Sequence, residues 1–130
     1  MGTLVAVKFL GIVRDGARQA GGFTQLNWVR DQIRAKFNFD PYPGTLNLQI
    51  ENPGALDAWH TRAGIAIDPA PGYCPARCFR VQLNGKIFAV WLIPDVPNYP
   101  RDVIEVIAPI NLRDALGVQT GDAVEIEIRD

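Results

Sequence analysis

Thr45 and Asn47 stand two residues apart in the run Pro43, Gly44, Thr45, Leu46, Asn47. In an extended strand, alternation puts the Thr45 hydroxyl and the Asn47 amide on one face. Both offer neutral oxygen ligands of the kind a hard cation such as Mg²⁺ accepts while it also holds phosphate. The same alternation equally makes them the solvent side of a strand. Glu105 is the only charge between Val103 and Ile110, and alternation places it beside Val103 and Ile107. There it is either a carboxylate on an apolar face, which needs a partner, a shifted pKa or a ligand, or a solvated residue on an exposed face. Arg113 sits on an expected short helix and can meet phosphate or carboxylate bidentately; a surface pair with Asp114 or Asp122 is the ordinary alternative. Residues 11–22 are glycine-rich, and backbone N–H groups in such a loop can cradle phosphate. That run matches neither GxGxxG nor the Walker pattern, so a flexible connector is its other reading.

Other chemistries are excluded or lack support. The chain contains no serine, so a Ser–His–Asp triad is impossible. Cys74 and Cys78 have only His60 as a third soft ligand, which does not make a zinc site. A pairing of either cysteine with His60 has no supporting motif, and two cysteines are too few for a disulfide framework. Trp28, Trp59 and Trp91 have the surface to stack a planar ring, yet are the ordinary material of a core or its rim.

The elements that must position these residues are short. Residues 4–13 form a first strand, read as a strand and not a signal peptide. In residues 23–37, Leu26, Val29, Ile33 and Phe37 recur at helical spacing, with Thr24 as N-cap. Pro41 and Pro43 keep the helix from continuing past residue 38. Residues 44–51 alternate Leu46, Leu48 and Ile50 with Thr45, Asn47 and Gln49, a half-buried strand. One helical turn is expected around residues 56–60 and a short strand at 63–67. Asn84-Gly85 between the apolar runs 78–83 and 86–93 signals a hairpin. Val103–Ile107 is a strand, 111–116 a short helix stopped by Gly117, and Ala123–Ile128 the last strand.

The 12 glycines and 10 prolines among 130 residues show no repeat, and read as sharp turns between those strands. Such a chain is mainly β: a small closed barrel with one amphipathic helix and a short helical turn, residues 1–130 forming a single domain. With 13 Lys and Arg against 14 Asp and Glu, the net charge is −1. That argues against a nucleic-acid partner held by bulk electrostatics, while ten of the thirteen cations being Arg leaves room for a local anion site. No segment approaches the length of a membrane span, and the default expectation is a cytoplasmic protein.

Three stretches together resemble the archaeal CTP-dependent riboflavin kinase family: GIVRDG near the start, FNFDPYPGTLNLQI in the middle, and YPRDVIEVIAPINLRDALGVQTGDAVEIEI at the end. They span most of the chain in the family's order and correspond to its kinase part, without the DNA-binding-like domain that archaeal members often add. The resemblance implies a six-stranded cradle-loop barrel that transfers the γ-phosphoryl of CTP to the 5′-hydroxyl of riboflavin, giving FMN and CDP. It implies that Thr45 and Asn47 hold Mg²⁺. Nucleotide contacts fall on Gly11, Ile12, Val13, Arg14, Asp15 and Gly16, with part of residues 17–21, and on Ile110, Asn111, Leu112 and Arg113. Glu105 contacts the flavin and could orient or deprotonate its hydroxyl. Two positions depart from the pattern. Arg18 stands where the loop usually has glycine, and Pro97 where a flavin-touching threonine is usual, which leaves open another small alcohol as acceptor. A non-catalytic barrel binding nucleotide or flavin is the alternative of a different class.

Overall fold

The computed structural model describes residues 7–16 and 22–129. The expected strand start at 4–6, and residues 17–21 with Arg18, lie outside them. β1 (Val7–Arg14) leads through a 3-10 turn (Phe23–Gln25) into α1 (Asn27–Phe37) and then β2 (Leu46–Ile50). A second 3-10 turn (Pro53–Leu56) precedes α2 (Asp57–His60) and β3 (Ile65–Ile67). β4 (Ala76–Leu83), β5 (Ile87–Pro94), β6 (Val103–Ile107), α3 (Leu112–Leu116) and β7 (Ala123–Ile128) complete the order.

All strand pairs are antiparallel, in the order β3-β4-β5-β6-β2-β1-β7, and β7 pairs again with β4. One edge of β4 is shared: Ala76 to Cys78 face β3, while Val81 to Leu83 face Ile128 to Ile126 of β7. Six strands thus close a barrel and β3 is appended outside the ring, which abolishes the open edges of the six.

Alternation fills the interior. Leu46, Leu48 and Ile50 turn inward to meet Val13, Phe79, Trp91, Val106 and Ile126, each such side chain contributing about 1.5–3 kcal/mol of burial. A Cβ at Gly11 would lie 2.9 Å from the Leu48 Cβ, so glycine there lets β1 and β2 close on a narrow radius. Outside the barrel, Val29 and Ile33 of α1 seal Ile67, Cys78, Val90, Leu92 and Ile107.

The start of α1 corrects one expectation. Thr24 is buried in the 3-10 turn and is not the N-cap of α1; that position is Leu26, in extended backbone. After the break Phe23 meets the Trp28 ring edge-on at 5.4 Å. The hairpin is as its sequence signal predicts: Asn84 and Gly85 both have positive φ, 50° and 64°, the type I′ geometry. Asn84 also exchanges hydrogen bonds with Glu125 of β7, donating at 2.9 Å and accepting at 2.8 Å. Gly117 (φ 66°) ends α3 in the left-handed region. Among the described residues no helix is long and apolar enough to cross a membrane.

Candidate active site

β2 lies between β1 and β6, so Asn47 is flanked by Arg14 on one side and by Glu105 on the other. All three project away from the barrel interior. Glu105 is nonetheless only 3% exposed and Asn47 6%, because the loop between β5 and β6 folds over them. A buried carboxylate requires donors. Thr45 Oγ1 donates to Glu105 Oε1 at 3.3 Å, and the Tyr99 hydroxyl donates to Oε2. Asn47 Nδ2 in turn donates to Thr45 Oγ1 at 3.2 Å. Burial, and then the bond and charge of Glu105, push the Tyr99 hydroxyl well above its usual range, so Tyr99 is a fixed donor at any working pH. Of the two readings left open for Thr45, Asn47 and Glu105, the solvated one is set aside: these side chains form one connected cluster.

Two cavities are bordered by members of that cluster. A smaller one, about 150 Å³, is bordered by Tyr42, Gly44, Thr45, Ile110, Asn111 and Arg113. A larger one, about 250 Å³, is bordered by Arg14, Asn47, Tyr99, Asp102, Val103 and Glu105. Thr45 opens on the first and its partner Asn47 on the second. Gly44, with φ 103°, supplies a backbone that other residues rarely adopt just where the chain turns into β2.

The remaining expected residues fall into distinct places. Gly11 is packed against Leu48 and Val13 is 1% exposed in the core. The backbone N–H of Val13 donates to Asp122 and its carbonyl accepts from Gly121, so these two hold the barrel together. Ile12 is half-buried on the other face of β1. Arg14 borders the larger cavity, and Gly16 presses on Asn47: a Cβ there would overlap the Asn47 amide. Arg113 donates to Thr120 Oγ1 at 3.1 Å and to Asp15 Oδ1 and the Arg14 carbonyl at 3.4 Å. Its acidic partner is thus Asp15 rather than Asp114 or Asp122. Asn111 caps α3 by accepting from the Asp114 N–H at 3.2 Å, and its amide reaches the Tyr42 hydroxyl at 3.2 Å. Leu112 is a core residue at the floor of the smaller cavity, and Ile110 is exposed at its rim.

Pro97 is exposed on its loop and does not border the larger cavity; Tyr99 and Pro100 of the same loop do. Tyr99, Gln49 and Asp102 escaped sequence reasoning. Tyr99 carried one signal, a phenol in a proline-rich loop six residues before a carboxylate that needs a donor. The oxygens available around the cluster are the Thr45 hydroxyl, the Glu105 carboxylate and, once its Nδ2 turns from Thr45, the Asn47 amide oxygen. That all-oxygen set fits Mg²⁺, a hard cation that keeps waters and phosphate oxygens as its other ligands. Among the described residues no group of three His, Cys, Asp or Glu side chains could hold a metal.

Fold and site define a cradle-loop β-barrel with two cavities bordered by one hydrogen-bonded polar cluster. The family model of the CTP-dependent riboflavin kinase domain, described as "Domain of unknown function DUF120", matches residues 13–128. The chain belongs to this family. It is 33% identical to the riboflavin kinase of Pyrobaculum arsenaticum, over 96% of this chain and 62% of the relative. It is 36% identical to that of Archaeoglobus fulgidus, over 94% of this chain and 54% of the relative. The chain therefore spans less than two thirds of those two proteins. Against the riboflavin kinase of Methanothermobacter thermautotrophicus the identity is 30%, over 89% of this chain and 94% of the relative.

Proposed function

We propose that this protein is a CTP-dependent riboflavin kinase, with residues 1–130 working as one catalytic domain in the cytoplasm. The observation that carries this reading is that Thr45, bordering one cavity, is hydrogen-bonded to Asn47 and Glu105, which border another. A phosphoryl transfer needs a donor and an acceptor brought in line at one point, and little covalent chemistry from the protein. The smaller cavity, with Arg113 and the Asn111 amide, takes the nucleotide. The larger takes riboflavin, its 5′-hydroxyl toward Glu105. Asp15, bonded to Arg113, and Gly16, packed on Asn47, border the path of the triphosphate in this reading.

Thr45 and Asn47 are the residues that would hold Mg²⁺, whose chemistry there is to neutralise charge on the triphosphate oxygens. Glu105 accepts a hydrogen bond from the acceptor hydroxyl and takes its proton as the oxygen bonds the γ-phosphorus. The bond from that phosphorus to the β-phosphate oxygen breaks, and CDP leaves. Tyr99 and Thr45 keep the carboxylate from turning away, so orientation is set before substrate arrives. Family membership supports cytidine as the base.

The test is incubation with riboflavin, Mg²⁺ and each common nucleoside triphosphate, followed by chromatographic separation of flavins. FMN formed with CTP ahead of ATP, GTP and UTP is the expected result. Absence of FMN with every triphosphate overturns the acceptor assignment, and a preference for ATP overturns the assignment of the donor.

A further inference from the structure

The wall of the larger cavity holds a polar strap that the phosphoryl-transfer scheme does not use. Arg14 Nη1 donates to Gln49 Oε1 at 2.6 Å, and Gln49 Nε2 donates to Asp102 Oδ2 at 2.7 Å. The strap crosses from the end of β1, over β2, to the start of β6. Its amide is fixed in one orientation, because oxygen must face the guanidinium and nitrogen the carboxylate. Its backbone is anchored too: the Asp102 carbonyl accepts from the Ile50 N–H at 2.8 Å.

We propose that Arg14 and Asp102, held by Gln49, read the secondary hydroxyls of the acceptor's sugar-alcohol chain and so select a polyol. This rests on the kinase reading above. Three features of the cavity support it. First, charge: Arg14 is balanced by Asp102, and Glu105 adds a negative charge, so the cavity disfavours a phosphate and suits a neutral alcohol. Arg14 is thereby an acceptor-binding residue instead of a nucleotide ligand. Second, mixed lining: Tyr99, Pro100 and Val103 add apolar surface beside the polar groups of Arg14, Asn47 and Asp102. A polyol carries both C–H groups and hydroxyls along its length and can meet both. Third, gradient: the polar groups run from buried Glu105 and Asn47 to half-buried Asp102 and exposed Arg14. A chain whose terminal hydroxyl meets Glu105 passes the strap on its way out. Each hydroxyl both donates and accepts, and a guanidinium beside a carboxylate answers both.

The test compares riboflavin with a flavin carrying a 5-hydroxypentyl chain, which keeps the reacting hydroxyl and lacks the secondary ones. Wild-type protein is expected to favour riboflavin by about tenfold or more in kcat/KM, through the hydrogen bonds from half-buried Asp102 and exposed Arg14 to the secondary hydroxyls. Asp102→Ala and Gln49→Leu should each raise KM for riboflavin about tenfold or more, with little change in KM for CTP. Losses in kcat/KM for the analogue should be clearly smaller than those for riboflavin. Quenching of riboflavin fluorescence reads the same loss without turnover, and thermal melting confirms that both variants fold. Equal losses on riboflavin and analogue overturn the proposal, as does an Arg14→Ala variant whose KM rises for CTP and not for riboflavin. If wild-type protein forms no FMN, the kinase reading fails and the strap proposal with it; FMN formation without the differential loss refutes the strap alone.

Discussion

Gly16→Ala is the sharpest perturbation the site allows. A Cβ built on Gly16 falls 2.6 Å from Asn47 Oδ1 and closer still to the rest of that amide. No atom of the Asn47 side chain can stay in place, and its bond to Thr45 Oγ1 at 3.2 Å goes with it. Contacts below about 3 Å for a carbon relax only by a shift of roughly 1 Å, and a misplacement of that size costs about 100-fold in rate. Stability should move little, because the lost Asn47 bond costs about 0.5–1.5 kcal/mol and Ala, at a φ that is not positive, offsets about 0.4–1 kcal/mol through the entropy of the unfolded chain. The expected result is therefore a fall of about 100-fold in FMN formation with a nearly unchanged thermal midpoint. Gly44→Ala supplies the opposite pattern. Nothing lies within 4 Å of its Cβ, but φ is 103°, so strain of about 1–2 kcal/mol lowers stability without a clash. The assay is FMN formation with CTP and Mg²⁺, set beside melting curves for both variants. A Gly16→Ala protein with wild-type turnover would refute the claim that close contact with Gly16 positions Asn47.

The same geometry sets further outcomes. Thr45→Ala and Asn47→Ala should each abolish Mg²⁺-dependent FMN formation over a full Mg²⁺ titration; wild-type turnover in either removes that residue from the metal set. Tyr99→Phe leaves the buried Glu105 with one donor fewer, a loss of about 1.5–3 kcal/mol that urea denaturation should read, and an unchanged midpoint would show the bond to be absent in solution. His60 has its pKa lowered below 6.5 by burial first and by Arg101 and Arg77, partly opposed by a backbone bond to Arg101 and by Asp57. A depressed histidine pKa means the unfolded chain takes the proton first, so stability falls as pH drops through about 6.5 and levels off below the folded pKa. Melting curves across that window should steepen in wild type relative to His60→Gln, and parallel slopes would contradict the shift.

The strands were legible wherever alternation was regular. Leu46, Leu48 and Ile50 announce β2, and Asn84-Gly85 announces the hairpin, because both signals act within a few residues. The start of α1 was not legible: Thr24 reads as a cap by type, yet Phe23 and Trp28 make a ring contact that local propensity does not weigh. The pairing of Thr45 with Asn47 was visible from spacing alone. Which of two readings held for Glu105 was not, since a strand face carries no local mark of what folds over it. Tyr99 and Asp102 escaped notice for a related reason: each lies in or beside a proline-rich loop and takes its meaning from partners 6 and 53 residues away.

By itself the sequence determined a closed β architecture, the turn positions, and one face bearing Thr45 and Asn47, all consequences of period-two patterning and backbone sterics acting locally. Tertiary structure decided the rest. Barrel closure sets Asn47 between Arg14 and Glu105, the covering loop brings Tyr99 onto the carboxylate, and Arg113 finds Asp15 across 98 residues. Those pairings depend on strand register and on burial, which only the assembled barrel can impose. They turn a stretch of oxygen ligands into a site with two sides.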